Sequence, residues 1–247
     1  MAMALSSLSS QGFSSLSQQV TAELRRAIIE NRLKAKTQIT ENELSSTLGV
    51  SRTVVREAMI TLINDGLLQK VSSHNTRVAY YSETDIREIY EMRGCLETSA
   101  VGLIPDPAAI CGILQKNNDE SIALSLREPF DGYAFVCLDS DFHTEIVKAA
   151  GNSLLLDAWN RIVGPLQVLL HRYIYYVVNN SPEKRASYDH QRIINVFSTG
   201  DRELIKMTLL DHSDLMKQIM LEKLVKPLEE QEASIYLIND DRVKASV

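Results

Sequence analysis

The feature that most constrains the fold is the spacing of helix starts and stops in the first third of the chain. Thr40 and Glu43 have the spacing of a capping box, so a helix is predicted to begin there. That helix should end by about Thr47, because Gly49 suits the left-handed conformation that closes a helix. Ser51 follows almost at once and is a good cap for the next helix. Two helices joined by so short a turn predict a helix-turn-helix unit.

Patterns on either side of this turn complete a small domain over residues 16–80. Apolar residues recur at helical spacing from Leu16 to Leu33 and predict a first helix. The third helix should end at Asp65-Gly66, and two β-prone runs follow, separated by a polar tip at residues 72–75. Three helices followed by such a hairpin predict a winged helix-turn-helix domain, in which the hairpin is the wing.

Everything after residue 82 has helical periodicity, which makes the expected fold class mainly α, with a C-terminal all-α helical bundle over residues 83–225. The predicted helices cover about residues 83–103, 107–117, 130–150, 153–179, 182–198 and 201–224. Residues 1–15 are predicted to be a flexible N-terminal arm, and residues 226–247 a polar C-terminal tail.

Charge is unevenly distributed along the chain. The net charge is −6, yet residues 1–80 contain nine basic and six acidic residues. A basic head on an acidic body is expected when one end of a protein approaches phosphates. No apolar run is long enough to span a bilayer, and three distant cysteines without a CxxC pair are typical of a reducing compartment. We therefore expect a cytoplasmic protein with no membrane partner.

The start of the third helix carries the residues expected to contact DNA. Arg52 and Arg56 are four positions apart and share one face of the helix. Arginine can form a bidentate contact with guanine, whereas Ser51 and Thr53 suit phosphates or base edges. The alternative is that both arginines are solvated surface charges. Their place directly after the tight turn favours DNA.

Residues 16–80 resemble the GntR family of bacterial regulators. The matching positions are Glu43-Leu44, Leu48-Gly49-Val50-Ser51-Arg52, Val55-Arg56-Glu57-Ala58, Leu62 and Gly66-Leu67. The resemblance implies DNA contacts by Arg52, Thr53 and Arg56, by Asn42 on the preceding helix, and by the wing tip at Ser73 and His74.

The chain departs from the family pattern in three places. Lys36-Thr37 or its neighbours replace the usual Pro-Gly before the second helix, and Ser73 replaces the usual wing glycine. Asn42 replaces an arginine found in many members, which implies a different operator sequence.

The second half of the chain contains polar residues with metal-ligand spacing. Asp139 and His143 are four positions apart, so a helix presents both on one side as a chelating pair for a divalent metal. By itself such a pair is more often a surface hydrogen bond. His190 and His212 lie in later amphipathic segments, where neutral imidazoles are either satisfied core groups or metal ligands.

Residues 83–225 resemble the FCD ligand-binding domain of the FadR-type branch of the GntR family. The resemblance is carried by Arg93 and Glu97, Asp139, Phe142-His143, Gly151-Asn152, His190 before Gly200-Asp201, and His212. It implies that Asp139, His143, His190 and His212 bind one metal ion. Zinc is the first choice, with nickel or manganese as alternatives.

The same resemblance implies a small carboxylate effector beside the metal. Arg93 is the expected bidentate counter-charge, and Asn152 is a second expected contact. Residues 88–93 and 142–146 are similar to gluconate-operon repressors, which implies a sugar acid.

These features predict a homodimeric transcriptional repressor that binds a palindromic double-stranded DNA operator, is controlled by a small organic acid, and is not an enzyme. A rival hypothesis is a metal-dependent hydrolase, because three histidines and an aspartate around an open position are also a catalytic arrangement. No candidate general base or nucleophile stands at a spacing that would indicate a hydrolase. A second rival is a regulator whose metal site is purely structural, and a third is that the four residues are unrelated buried polar groups.

Overall fold

The computed structural model describes Leu5 and residues 15–72, 75–180 and 190–225. Its N-terminal part contains three helices and three short strands. They are α1 (Leu16–Ile29), β1 (Gln38–Ile39), α2 (Glu41–Leu48), α3 (Arg52–Asn64), β2 (Leu68–Lys70) and β3 (Thr76–Val78). The order of helices and hairpin confirms the winged helix-turn-helix prediction.

The predicted caps form at the tight turn, except that Glu43 bonds the hydroxyl of Thr40 rather than the backbone amide that a capping box uses. Thr40 Oγ1 accepts a hydrogen bond from the Glu43 amide, and the Glu43 carboxylate accepts the Thr40 hydroxyl in return. Gly49 has φ 68° and ends α2, as its lack of a side chain allows. Ser51 Oγ then accepts from the Val54 amide and starts α3.

Two features of this domain differ from the prediction. α1 ends at Ile29 rather than at the predicted Leu33. Two residues after its end, Asn31 takes a left-handed conformation with φ 58°. A third strand, β1, was not predicted, because a two-residue strand is too short to show alternation. It pairs antiparallel with β3, with Gln38 opposite Arg77, and gives the strand order β1-β3-β2.

The C-terminal part is helical throughout its described residues. Its elements are α4 (Glu83–Leu103), a short 3-10 helix (Pro107–Ile110), α5 (Cys111–Ser125), α6 (Gly132–Ala149), α7 (Ser153–Asn180), α8 (Gln191–Phe197) and α9 (Arg202–Met220), which continues as one π-helical turn (Leu221–Val225). α5 runs to Ser125, beyond the predicted end near residue 117. The described part of the predicted 182–198 helix begins at Gln191.

Several predicted segments lie outside the described residues. These are most of the arm over residues 1–15, the wing-tip residues Ser73 and His74, residues 181–189, and the tail over residues 226–247. Within the described residues, no helix combines the length and apolar character needed to cross a membrane.

The two domains contact each other through α7. Gly164 lies against the end of α3, where a Cβ added to this glycine would be 2.5 Å from the Asp65 carbonyl oxygen. The next residue, Pro165, faces Gly66, where an added Cβ would lie 3.0 Å from Pro165 Cγ, and Tyr81 donates a hydrogen bond from its hydroxyl to the Gly66 carbonyl. The close fit requires glycine at position 164.

A second contact joins α1 to the start of α6. The Arg26 guanidinium lies 4.9 Å from the centre of the Tyr133 ring and 3.8 Å from the carboxylate of Asp131, the N-cap of α6. One core cluster includes buried residues of both domains, such as Leu24 and Trp159, and a smaller one around Phe142 lies within the C-terminal domain.

Candidate functional site

The first two turns of α3 present the predicted DNA-contacting residues of this helix to solvent. The side chains of Arg52 and Arg56 are 61% and 57% exposed, and Thr53 is exposed between them. The opposite side of α3 is buried through Val55 and Ala58. The apolar side therefore fixes the helix in the domain and leaves its polar side free for a partner.

Glu41, at the start of α2, contacts both arginines. Its two carboxylate oxygens accept from Arg56 Nε and Nη2, each at 2.8 Å, which is a bidentate pair. Arg52 Nη2 lies 3.5 Å from Glu41 Oε2. The hydrogen bonds from Arg56 lower the pKa of the Glu41 carboxyl, so this group is ionised at neutral pH. Sequence reasoning missed this contact.

A cleft of about 660 Å³ lies between the start of α2, the outer face of α3 and the base of the wing. Asn42, Arg52 and Arg56 line it from the helices, and Lys70 and Thr76 line it from β2 and β3. The structure thus brings the predicted Asn42 and both arginines to one surface. The hydroxyl of Ser51 is used as the cap of α3, beside this surface.

Three histidines from three separate segments meet in the C-terminal domain. His143 lies on α6, His190 immediately precedes α8, and His212 lies on α9. One ring nitrogen from each lies within 4.8 Å of the others. His143 and His190 are buried, and the amide of His190 donates to the side chain of the buried Asn118.

The spacing of the ring nitrogens suits a tetrahedral metal. His143 Nε2 and His190 Nε2 are 3.3 Å apart. Two nitrogens bound at zinc–nitrogen distances of about 2.0–2.1 Å with tetrahedral angles are separated by about 3.3 Å. Asp139 Oδ1 lies 3.5 Å from His190 Nε2, although Asp139 is outside the group whose ligand atoms all lie within 4.8 Å of one another. The donor set therefore fits a metal. The three histidines lie closer to one another than Asp139 lies to the group.

Burial keeps these imidazoles neutral. Removal from water lowers the pKa of His190 to about 4 and the pKa of His143 and of His212 well below the usual 6.5. A neutral imidazole has a lone pair available for coordination. Phe142 supports this arrangement by stacking on His190, with ring centres 4.3 Å apart.

Two further buried charges, Arg93 and Glu97 of α4, complete the cluster. Glu97 Oε1 lies 2.5 Å from His143 Nδ1, although neither atom has an aligned hydrogen bond to a described residue. Arg93 Nε donates to Glu97 Oε2 at 3.4 Å, and Arg93 Nη2 lies 2.6 Å from His143 Nε2. The guanidinium thus contacts the same nitrogen that a metal would use.

Asn152 is not grouped with these residues. Its side chain is exposed and accepts hydrogen bonds from the amides of Leu154 and Leu155 at 3.1 and 3.2 Å, so it caps α7. Arg93, in contrast, is only 4% exposed and lies within the cluster.

A winged helix-turn-helix domain joined to an all-helical domain with a buried polar cluster defines a two-domain DNA-binding regulator. Residues 16–78 match the model of the bacterial regulatory proteins of the gntR family, and residues 88–215 match the FCD domain. The chain belongs to the GntR family and carries an FCD domain. It is a transcription regulator rather than an enzyme.

Relatives and solved structures agree with this assignment. The chain is 30% identical over 195 residues to a probable D-xylose utilization operon transcriptional repressor of Paenarthrobacter nicotinovorans, covering 75% of this chain and 80% of that protein. It is 26% identical over 204 residues to the gluconate operon transcriptional repressor of Bacillus subtilis, covering 79% and 81%. A GntR regulator structure from Rhodococcus sp. RHA1 has a TM-score of 0.66 at 21% identity, covering 85% of this chain and 99% of that one.

Proposed function

We propose that this protein is a homodimeric repressor that reads a palindromic operator with the exposed face of α3. Arg52 and Arg56 supply the base contacts, Thr53 and Ser51 lie beside them, and Asn42 supports them from α2. Ser73 and His74 at the wing tip are the proposed minor-groove contacts. The observation that carries this proposal is the exposure of both arginines, one turn apart at the start of α3, where they line the cleft.

The test is a double variant, Arg52→Ala with Arg56→Ala, titrated against an operator selected with the wild-type protein from a random duplex library. Each bidentate base contact discriminates by about tenfold or more, so operator affinity should fall by about a hundredfold or more. Arg87→Ala with Arg192→Ala is the matched control, because it removes two exposed positive charges from the C-terminal domain. Wild-type affinity and salt dependence in the first variant would refute the proposal.

The second part of the proposal assigns one divalent metal, zinc as first choice, to His143, His190, His212 and Asp139. The metal would supply a positive charge and an open coordination position for a carboxylate. The chain itself holds the imidazoles neutral by burial, and the Glu97 carboxylate, 2.5 Å from His143 Nδ1, is the group that would orient that ring. Coordination through His143 Nε2 requires the Arg93 guanidinium to turn aside, which frees it to pair with the carboxylate of an effector.

Metal analysis of purified protein tests this assignment. We expect about one equivalent of metal per chain in the wild type and a background level in the His190→Ala, His212→Ala double variant. His171→Ala is the control, since His171 lies on α7 and outside the histidine group. Equal metal in all three proteins would show that the four residues are ordinary buried polar groups.

A small sugar acid is the proposed effector, with repression relieved when it binds. The names of the two repressors described above, for D-xylose utilization and gluconate operons, support carbohydrate-derived ligands. Calorimetry with gluconate and with neutral D-xylose tests the need for a carboxylate. We expect gluconate to bind the metal-loaded protein and release operator DNA, and xylose to do neither. If a panel of sugar acids fails to bind, the metal is structural. The proposed place of action is the cytoplasm.

A further inference from the structure

We infer that Glu41 is a specificity-determining residue, whose carboxylate holds the recognition arginines as oriented hydrogen-bond donors. This inference rests on the proposed role of Arg52 and Arg56 in reading DNA. It concerns a residue that does not itself need to contact a base, because it acts through the arginines that do.

The geometry of the Glu41–Arg56 pair leaves the correct edge of the guanidinium free. A guanidinium has five N–H donors in one plane. Glu41 uses one on Nε and one on Nη2, both at 2.8 Å. Of the three remaining donors, two lie along the Nη1–Nη2 edge, and these two match the O6 and N7 acceptors of guanine. The pair therefore fixes the plane of Arg56 without consuming its ability to read a base.

Glu41 also limits indiscriminate attraction to phosphates. Its carboxylate is only 26% exposed, whereas the two arginines are more than half exposed. The negative charge thus lies behind the arginines as seen from solvent. It offsets one of their two positive charges at the surface that approaches DNA. Non-specific affinity depends mainly on such charges, whereas base discrimination depends on geometry. Glu41 should therefore weaken binding to random DNA while it preserves binding to the operator.

The exposed Glu57 provides a matched control on α3 itself. It forms no ion pair with any residue that the structure describes. Glu57→Gln removes one negative charge from the same domain, but it leaves the bidentate pair intact. Glu41→Gln removes the same charge and breaks the pair. Glu41→Asp keeps the charge and shortens the side chain by one methylene, so it weakens the pair alone.

The experiment measures affinity for the selected operator and for a scrambled duplex at several salt concentrations, using fluorescence anisotropy. For Glu41→Gln we expect tighter binding to the scrambled duplex and a dependence on salt concentration that is steeper by about one released ion. The specificity ratio, which is the affinity for the operator divided by the affinity for the scrambled duplex, should fall by about tenfold or more. Glu57→Gln should strengthen binding to both duplexes and keep the wild-type ratio. Glu41→Asp should lower the ratio with little change in salt slope.

Two outcomes would overturn the inference. One is a specificity ratio for Glu41→Gln within twofold of that for Glu57→Gln, and the other is a wild-type ratio for Glu41→Asp. Melting temperatures of the variants check that a lowered ratio does not arise from misfolding. If the Arg52, Arg56 double variant binds the operator like the wild type, the proposed function fails. If that variant loses binding and the Glu41 variants keep the wild-type ratio, only the role of Glu41 fails.

Discussion

The exposed face of α3 that carries Arg52 and Arg56, here called the recognition face, places its charged groups in solvent. The histidine cluster buries its charged and polar groups. On α3 the arginines are more than half exposed, whereas in the cluster Arg93 is 4% and His143 1% exposed. Exposed ion pairs contribute little stability and exchange partners readily in water. Buried polar groups cost stability unless they are paired, so their neighbours are strictly specified. The arginines of the recognition face can therefore meet a nucleic acid with the donors that Glu41 leaves free, while the cluster accepts only a ligand that satisfies its fixed donors.

Lowering the pH should have the largest effect on stability, and this effect should come from the buried histidine cluster. Burial lowers the pKa of His190 to about 4, whereas an unfolded histidine titrates near its ordinary value of about 6.5. Below about pH 6.5 the unfolded chain binds a proton that the folded chain does not, so stability should fall as pH decreases from 6.5 to 4. At about 1.4 kcal/mol per tenfold change, His190 alone accounts for about 3 kcal/mol.

Urea unfolding of chelator-treated protein across this range measures the loss, with His190→Asn as the comparison. The difference between the two proteins isolates the histidine from Asp139 and Glu97. Burial raises the pKa of both carboxyls, which acts on stability in the opposite direction. Parallel pH profiles for the two proteins would contradict the prediction.

The next effect sharpens the comparison by testing whether the two regions are mechanically joined. In Gly164→Ala the added methyl group would lie 2.5 Å from the Asp65 carbonyl oxygen, so α3 and α7 must separate. We expect a loss of about 1–3 kcal/mol in unfolding free energy and weaker operator binding. Gly102→Ala is the control: its Cβ has nothing within 4 Å, and alanine should stabilise α4 by about 0.5–1 kcal/mol. An unaltered protein in the first case would mean that the domains are not firmly seated.

Glu97 tests the strict specification of the cluster. Glu97→Gln keeps the shape of the side chain and removes the charge that faces His143 Nδ1. Loss of such a supporting carboxylate weakens metal affinity by about 10–100-fold. Competition with a chelator measures this change, and Glu91→Gln, an exposed site on the same helix, should leave the affinity unchanged. Equal affinities for both variants would refute the role of Glu97.

Asn152 should show the smallest effect, because it lies on the exposed side. Removal of an N-cap costs about 1 kcal/mol, so Asn152→Ala should lower stability by that amount, and Asn152→Asp should restore it. Sugar-acid affinity should not change. A loss of acid binding without a loss of stability would instead return Asn152 to the effector site.

Much of the N-terminal domain could be predicted, because its signals are local. Gly49 and Ser51 act on their own backbone, so their effect does not depend on the rest of the chain. The contact between Glu41 and Arg56 spans fifteen residues and two helices, beyond the reach of any periodicity rule. The two-residue β1 forms only because β3 is present to pair with it.

The candidate metal centre shows the same limit. The order of its histidines along the chain pointed to the resemblance, but only packing brings His143 and His190 to 3.3 Å from each other. The approach of Glu97 to His143 depends on how α4 and α6 meet, whereas the cap formed by Asn152 is local, since it bonds amides two and three residues ahead. Glu97 was visible in the sequence, yet the side chain that it meets was not.

One consequence follows from the position of α6. This helix carries Asp139 and His143 along its length, while its first turn holds Tyr133 against Arg26 of the DNA-binding domain. From Tyr133 to His143 the rise along a helix is about 15 Å, over which a helix behaves as a stiff rod. If the proposed acid tilts α6, the movement reaches α1 through the contact between Tyr133 and Arg26, without passing along the chain between the two domains. Binding at the proposed effector site would then shift the DNA-binding domain as a rigid unit, without unfolding either domain.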